Sequence, residues 1–360
     1  MTNNQTTETP SLTVPSKKNS MEGFHKKVIF FLITSVIFLI PDLLLLRSKA
    51  QAKGIELRPW SDGLFVIAAS CGFQIFHMLV SKLLMPFVLS SLKTGDAKQV
   101  LDPNRLVRQI SNFVYYMGIY LFGRWVAVDA DYPSCVGGAG TCESLGKYWP
   151  RLPLNSMMRI YMITQFAHHT YNTVYHTIAK KELANYYEMI THHVGTMISI
   201  FLSYYSNLED WSFLVLMLHD FSDSFLNLTR ITKLGRQYFW KTFVGGFPLN
   251  FYWGWDRLFW MGKCYYVTMY NWLSVLESSD AELCSHMRRI LAYITFNLAI
   301  IFVMNIIWQY EISSITLKSI LKGSTKSWEV SREVNNSGNS VGPKPGRYSV
   351  EPKEGNNKDK

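Results

Sequence analysis

YYEMITHHVGTMISIFLSYYSNLEDWSFLVLMLHDFSDSFLNLTRITK, residues 186–233, contains two apolar runs separated by a short polar connection at about 206–210. A connection that short between two helical runs permits only an antiparallel hairpin. Each run carries ionisable side chains: His192 and His193 in the first, and His219, Asp220 and Asp223 in the second. Such residues are costly at membrane depth, and their presence there argues for function. Register can be counted from a turn centred near Leu208. At ~1.5 Å per residue, His193 and Asp223 share one level and Thr196 and Asp220 another. His192 and Thr196, like His219 and Asp223, are four residues apart and lie on one helical face. Two helices therefore aim imidazoles and carboxylates at one small volume.

The rest of the chain fits a membrane setting. Of its 360 residues, 48% are hydrophobic and 15% aromatic, values that a large soluble domain could share. The distribution decides otherwise, because apolar stretches long enough to cross a ~30 Å hydrocarbon core recur along the sequence. Eight stand out: 28–46, 63–84, 113–128, 154–175, 187–205, 211–228, 249–270 and 290–310. The fourth and seventh carry polar residues and could be buried inside a bundle; the expected count is eight spans, with seven as the alternative. The expected fold is all-α, a polytopic membrane helical bundle. Its expected divisions are a disordered tail at 1–26, amino-terminal membrane helices at 27–104, a functional domain at 105–312, and a mostly disordered basic tail at 313–360.

Loop charges suggest an orientation. Lys180 and Lys181, with Arg230, Lys233, Arg236 and Lys241, place those ends in the cytosol and the 207–210 turn on the opposite, lumenal side. The first loop, with Arg47, Lys49, Lys53 and Arg58, runs against the rule. The net charge of +10 reads as topology and attraction to anionic lipid headgroups. No motif or spacing points to nucleic acid. Five cysteines are too few for a disulfide scaffold, but Cys135 and Cys142 flank VGGAGT in a lumenal loop, where the glycines permit closure of a bridge between them.

The fourth segment contributes Gln165, His169, Asn172 and His176 at helical spacing, a polar stripe suited either to a substrate-filled cavity or to a hydrogen-bonded seam. His168 points elsewhere and reads as packing. In the seventh, Asp256 and Arg257 follow Gly245, Gly246 and Pro248, which favour a distorted helix. Asp256 and Arg257 read as an internal ion pair, as pairs with neighbouring helices, or, for Arg257, as a contact for a substrate anion. Imidazole beside carboxylate suits acyl transfer: His accepts a proton from an attacking amine or hydroxyl, or itself takes the acyl group, while Asp fixes its tautomer.

The quoted stretch resembles the Lag1-type motif of ceramide synthases, in the wider family that carries the TRAM–Lag1–CLN8 domain. The resemblance rests on Glu188, the HHxxT unit at His192–Thr196, and the HDxxDxxL unit at His219–Leu226. Departures are Asn227 and Arg230, where the family often has Glu and Lys, and the stretch Arg108, Gln109, Ile110, Ser111. The resemblance implies a multi-pass enzyme of the endoplasmic reticulum membrane that transfers an acyl group from acyl-CoA to a sphingoid base. It implies catalytic positions at His192, His193, His219, Asp220 and Asp223, no cofactor beyond acyl-CoA as co-substrate, and no metal. Thr196, Gln165, His169, Asn172 and Arg257 are the expected substrate contacts. The partners implied are acyl-CoA, a sphingoid base and membrane lipids, with a homodimer or accessory subunit left open. Two other readings remain. One is a lipid-sensing, transport or translocation factor without chemistry; the other is a histidine-rich membrane oxygenase, whose repeated histidine boxes are absent from the sequence.

Overall fold

The computed structural model describes residues 17–93, 103–128, 130–147, 149–150, 155–179, 186–233, 242–266, 269 and 281–322. It is an all-α bundle of α1 (Lys17–Ala52), α2 (Asp62–Lys93), α3 (Pro103–Ala127), α4 (Ser156–Ala179), α5 (Tyr186–Tyr205), α6 (Glu209–Lys233), α7 (242–266) and α8 (Ala281–Lys322). Among the described residues, three helices are long and apolar enough to cross a membrane by length and composition: α1, α2 and α8. Phe30, Phe38, Ile67 and Leu83 on α1 and α2 are more than 60% exposed, as side chains facing lipid would be. The other helices carry polar residues, and many of these are buried among the helices. The expected tails at 1–26 and 313–360 fall largely outside the described residues. Within them, α1 begins at Lys17 and α8 runs to Lys322. Hydropathy marks only the apolar middle of each helix, so the continuation into polar sequence was missed.

Long α8 runs antiparallel to α1. Tyr293 donates to the Leu32 carbonyl at 2.9 Å, Arg289 pairs with Asp42, and Glu282 pairs with Lys49 and Lys53 at 3.2 and 3.0 Å. The segment forming α7 is wound wide, with π-helical turns at Thr242–Gly246 and Trp253–Trp260 around a short α-helix at Phe247–Tyr252. A Cβ on Gly245 would lie 2.9 Å from the Thr229 Cα, so the missing side chain lets α7 approach α6. The Thr229 hydroxyl then donates to the Gly245 carbonyl at 2.7 Å.

The α5–α6 turn closes at Asn207, whose φ of 60° is left-handed. The Leu208 N–H donates to the Ser203 carbonyl at 2.8 Å, ending α5 in a Schellman-type cap. Asn tolerates this conformation, and its amide donates to the carbonyls of Glu56 and Pro150. The two arms do not pack tightly along their length. Helix α5 lies chiefly against α4 and α1, α6 chiefly against α3, and α8 closes the gap between them. Asn297 on α8 donates to the Gly195 carbonyl at 2.6 Å and to Ser199, a contact that a larger residue at position 195 would obstruct.

The arginines that conflicted with the charge rule are consumed inside the protein. Arg58 makes a bidentate pair with Glu209 at 2.5 and 2.8 Å, both side chains being almost fully buried. Arg47 donates to the carbonyls of Tyr205 and Arg58 and lies over the Trp60 ring. Neighbouring Asp210 accepts the Gly146 N–H at 2.6 Å, and burial raises its carboxyl to about 6. A topology count that treats these arginines as free loop charge therefore misreads them.

The cysteine expectation is corrected. Cys142 is bonded to Cys264 on α7, with Cα atoms 5.4 Å apart, and Cys135 is a free thiol whose pKa burial raises to about 11. The partner is 122 residues away in sequence, and only the folding of α7 onto the loop after α3 brings it there. Local glycine spacing contains no sign of that contact.

Candidate functional site

The gap between α5, α6 and α8 is an elongated slot with about 570 Å³ of space outside atoms. Along α6 its wall runs from Trp211 to Asp223, about 18 Å at ~1.5 Å per residue. That length is roughly half of a ~30 Å hydrocarbon core, the depth of one leaflet's chains. The slot is chemically polarised. His169, His192, His219, Asp220 and Asp223 gather at one end, and Trp211, Ile294 and Leu298 line the other.

His219 is held on both ring nitrogens. Its Nδ1–H donates to the Val215 carbonyl at 2.7 Å, which leaves Nε2 as the acceptor; Asn305 of α8 donates to Nε2 at 3.1 Å. The Asn305 amide is itself oriented, because its oxygen accepts from Arg257. Asp220 does not fix the His219 tautomer, contrary to the sequence reading. Adjacent residues on a helix point about 100° apart, so Asp220 turns to α4 instead. There its carboxylate accepts from Tyr161 at 3.1 Å and from Gln165, and Gln165 in turn accepts from Tyr115.

Arg257 reaches the site from the wide turn of α7. It is 1% exposed and lies over the Trp253 ring at 3.7 Å. It donates to Ser222 at 2.6 Å and to the His219 carbonyl at 2.9 Å, and pairs with Asp223 at 2.6 Å. It thus pairs with a neighbouring helix instead of forming an internal pair with Asp256. The buried Asp256 Oδ2 has no hydrogen-bond partner among the described residues. Asn227, a departure from the family pattern, donates to the Asp223 carbonyl at 2.8 Å.

The imidazoles of α4, α5 and α6 form a chain of neighbours. Ring centroids are 6.0 Å apart for His169 and His193, 5.5 Å for His193 and His192, and 6.3 Å for His192 and His219. The predicted sharing of a level between His193 and Asp223 is replaced by a meeting of His192 with His219, because the helices splay. His192 also meets the edge of Trp308 on α8. The buried Nδ1 atoms of His192 and His169 and the Thr196 hydroxyl have no hydrogen-bond partner among the described residues, and all three residues line the slot. Of the α4 stripe, Gln165 and His169 reach the site, whereas Asn172 contacts His168, which stacks on Tyr115 at 3.7 Å. The His176 side chain lies outside the described part. No group of three or more His, Cys, Asp or Glu side chains suited to a metal ion occurs among the described residues.

Sequence reasoning missed Tyr161, Asn305 and Trp308. Asn305 sits in the most apolar part of α8, and a lone amide within such a run is the one local sign it gives.

The chain matches the model of the TLC domain of the TRAM–LAG1–CLN8 family over residues 105–314, more than half of its length. It is also similar to human ceramide synthase 1, with 25% identity over 174 residues, 45% of this chain and 48% of that protein. The chain thus spans about half the length of the curated relative it matches. The slot and its polar end are built largely from the matched residues, and the chain belongs to the TRAM–LAG1–CLN8 family as a membrane protein carrying a TLC domain.

Proposed function

We propose that the protein is a ceramide synthase, transferring a fatty acyl group from acyl-CoA to the amine of a sphingoid base in the endoplasmic reticulum membrane. The observation that carries this reading is the polarised slot, with its imidazole and carboxylate end and its apolar bore of about one leaflet's depth. The acyl chain occupies the bore and its thioester lies beside His192 and His219. An imidazole nitrogen of His192 takes the proton of the attacking amine. The carbon–nitrogen bond of the amide forms, the carbon–sulfur bond breaks, and the proton passes to the departing thiolate. His219, held at Nδ1 by the Val215 carbonyl and at Nε2 by Asn305, lies in one fixed orientation beside the same centre. Arg257 and Asp223 hold the α6 backbone beneath it. Fixed groups of this kind need little rearrangement as charge develops.

The test is N-acyl transfer by membranes containing the protein. His192→Ala, His193→Ala and Asp220→Asn variants that reach wild-type levels are expected to lose most of the activity. Full activity in these variants would remove the assignment. Tight lipid binding by the parent without turnover would instead mark a lipid-binding member of the family.

A further inference from the structure

Beyond the slot lie two smaller crevices, each with room for about one water molecule. Trp211 and Leu298 border all three spaces. Trp211 is 5% exposed, at the first apolar turn of α6, and Leu298 is 6% exposed on the facing side of α8. Past them the larger crevice continues to Leu208, in the turn three residues before Trp211, and to Leu291, three residues nearer the start of α8 than Ile294. The smaller runs sideways along α7 to Met261 and Cys264.

We infer that Trp211, backed by Leu298, is the floor of the acyl-chain bore and sets the longest chain the protein accepts. The inference rests on the acyl-transfer reading above. The physical argument is direct. An indole is a large, rigid wall, and the packing on its far side is loosened by the two crevices, so a chain meeting Trp211 stops at packed atoms with looser packing behind them. Trp211 is thus a partition between the slot and the two crevices, which share Leu298 with it, and its removal joins them to the slot.

The extra depth is about one helical turn, ~5 Å. At ~1.2 Å per bond of extended chain, that admits about four more methylene groups. Trp211→Ala is therefore expected to move the preferred chain longer by about two to four methylenes, and Trp211→Phe by less. Ile294→Trp, which fills the bore above the floor, is expected to move it shorter. The experiment gives purified full-length protein a series of saturated acyl-CoAs of increasing length, reading occupancy by native mass spectrometry and turnover with sphinganine. Occupancy reads the floor even if no amide forms, so failure of the acyl-transfer reading is seen separately. Trp211→Phe keeps most of the ring and serves if Trp211→Ala does not fold. Shifts in opposite directions for Trp211 and Ile294 substitutions support the inference. An unchanged length profile in folded variants of both positions would overturn it.

Discussion

The Arg257–Asp223 pair is the contact through which α7 organises the imidazole end, and breaking it tests that role. The Arg257 Nη2 and Asp223 Oδ1 are 2.6 Å apart, and the guanidinium has further bonds to Ser222, the His219 carbonyl and Asn305. At an effective dielectric near 20, opposite unit charges at this distance attract by roughly 6 kcal/mol. The cost of desolvating the guanidinium, and the 21% exposure of the Asp223 side chain, reduce the net coupling to about 2–4 kcal/mol. Arg257→Gln is expected to destabilise by about 3–5 kcal/mol, since it strands Asp223 beside the site. Arg257→Lys keeps the charge but loses the planar fork and should fall between that variant and the parent. The assay is unfolding in detergent followed by tryptophan fluorescence, for Arg257→Gln, Asp223→Asn and the double variant. Effects that add within about 0.5 kcal/mol would refute the coupling.

Asn305→Leu removes the donor to His219 Nε2 at similar volume; the rate constant for transfer should fall about tenfold to hundredfold, equivalent to roughly 1.4–2.7 kcal/mol. The KM for acyl-CoA should stay near the parent value, and a pure KM effect would argue against an orienting role. Asp210 is raised to about 6 by burial against an ordinary ~3.9. Its stabilising contribution is therefore complete below about 4 and lost as pH rises through about 6, a difference of roughly 3 kcal/mol. Asp210→Asn should flatten the pH dependence of unfolding across that window, and an unchanged slope would contradict it. Non-reducing peptide mapping should recover Cys142 linked to Cys264, and Cys264→Ser should cost about 2–4 kcal/mol while Cys135→Ser is neutral. A Cys135–Cys142 peptide would reverse the assignment.

Much of this architecture is legible in the sequence because membrane helices announce themselves by length and polarity. The hairpin at Asn207, the gathering of imidazoles and carboxylates from both its arms, and a distorted helix after Gly245 and Gly246 all follow from spacing and residue type. What escaped has one cause, namely packing between segments distant in sequence. Counting register assumes that α5 and α6 touch, but α5 leans on α1 and α4, so His193 turns to His169 and a slot opens in the hairpin. Asp220 looked like the partner of His219 because they are neighbours in sequence. A helix sends such neighbours in different directions, and Tyr161 and Gln165 take the carboxylate instead. Arg47 and Arg58 read as misplaced topology signals until Glu209 and the Tyr205 carbonyl are seen beside them.

The measurement that bears most directly on acyl transfer at the polar end of the slot is a mass balance on purified protein in lipid vesicles given acyl-CoA and sphinganine. The expected result is one free thiol released for each amide formed, with both products lost in His192→Ala of unchanged fold. Thiol release without amide, or equal amide formation by the His192→Ala protein, would contradict the account.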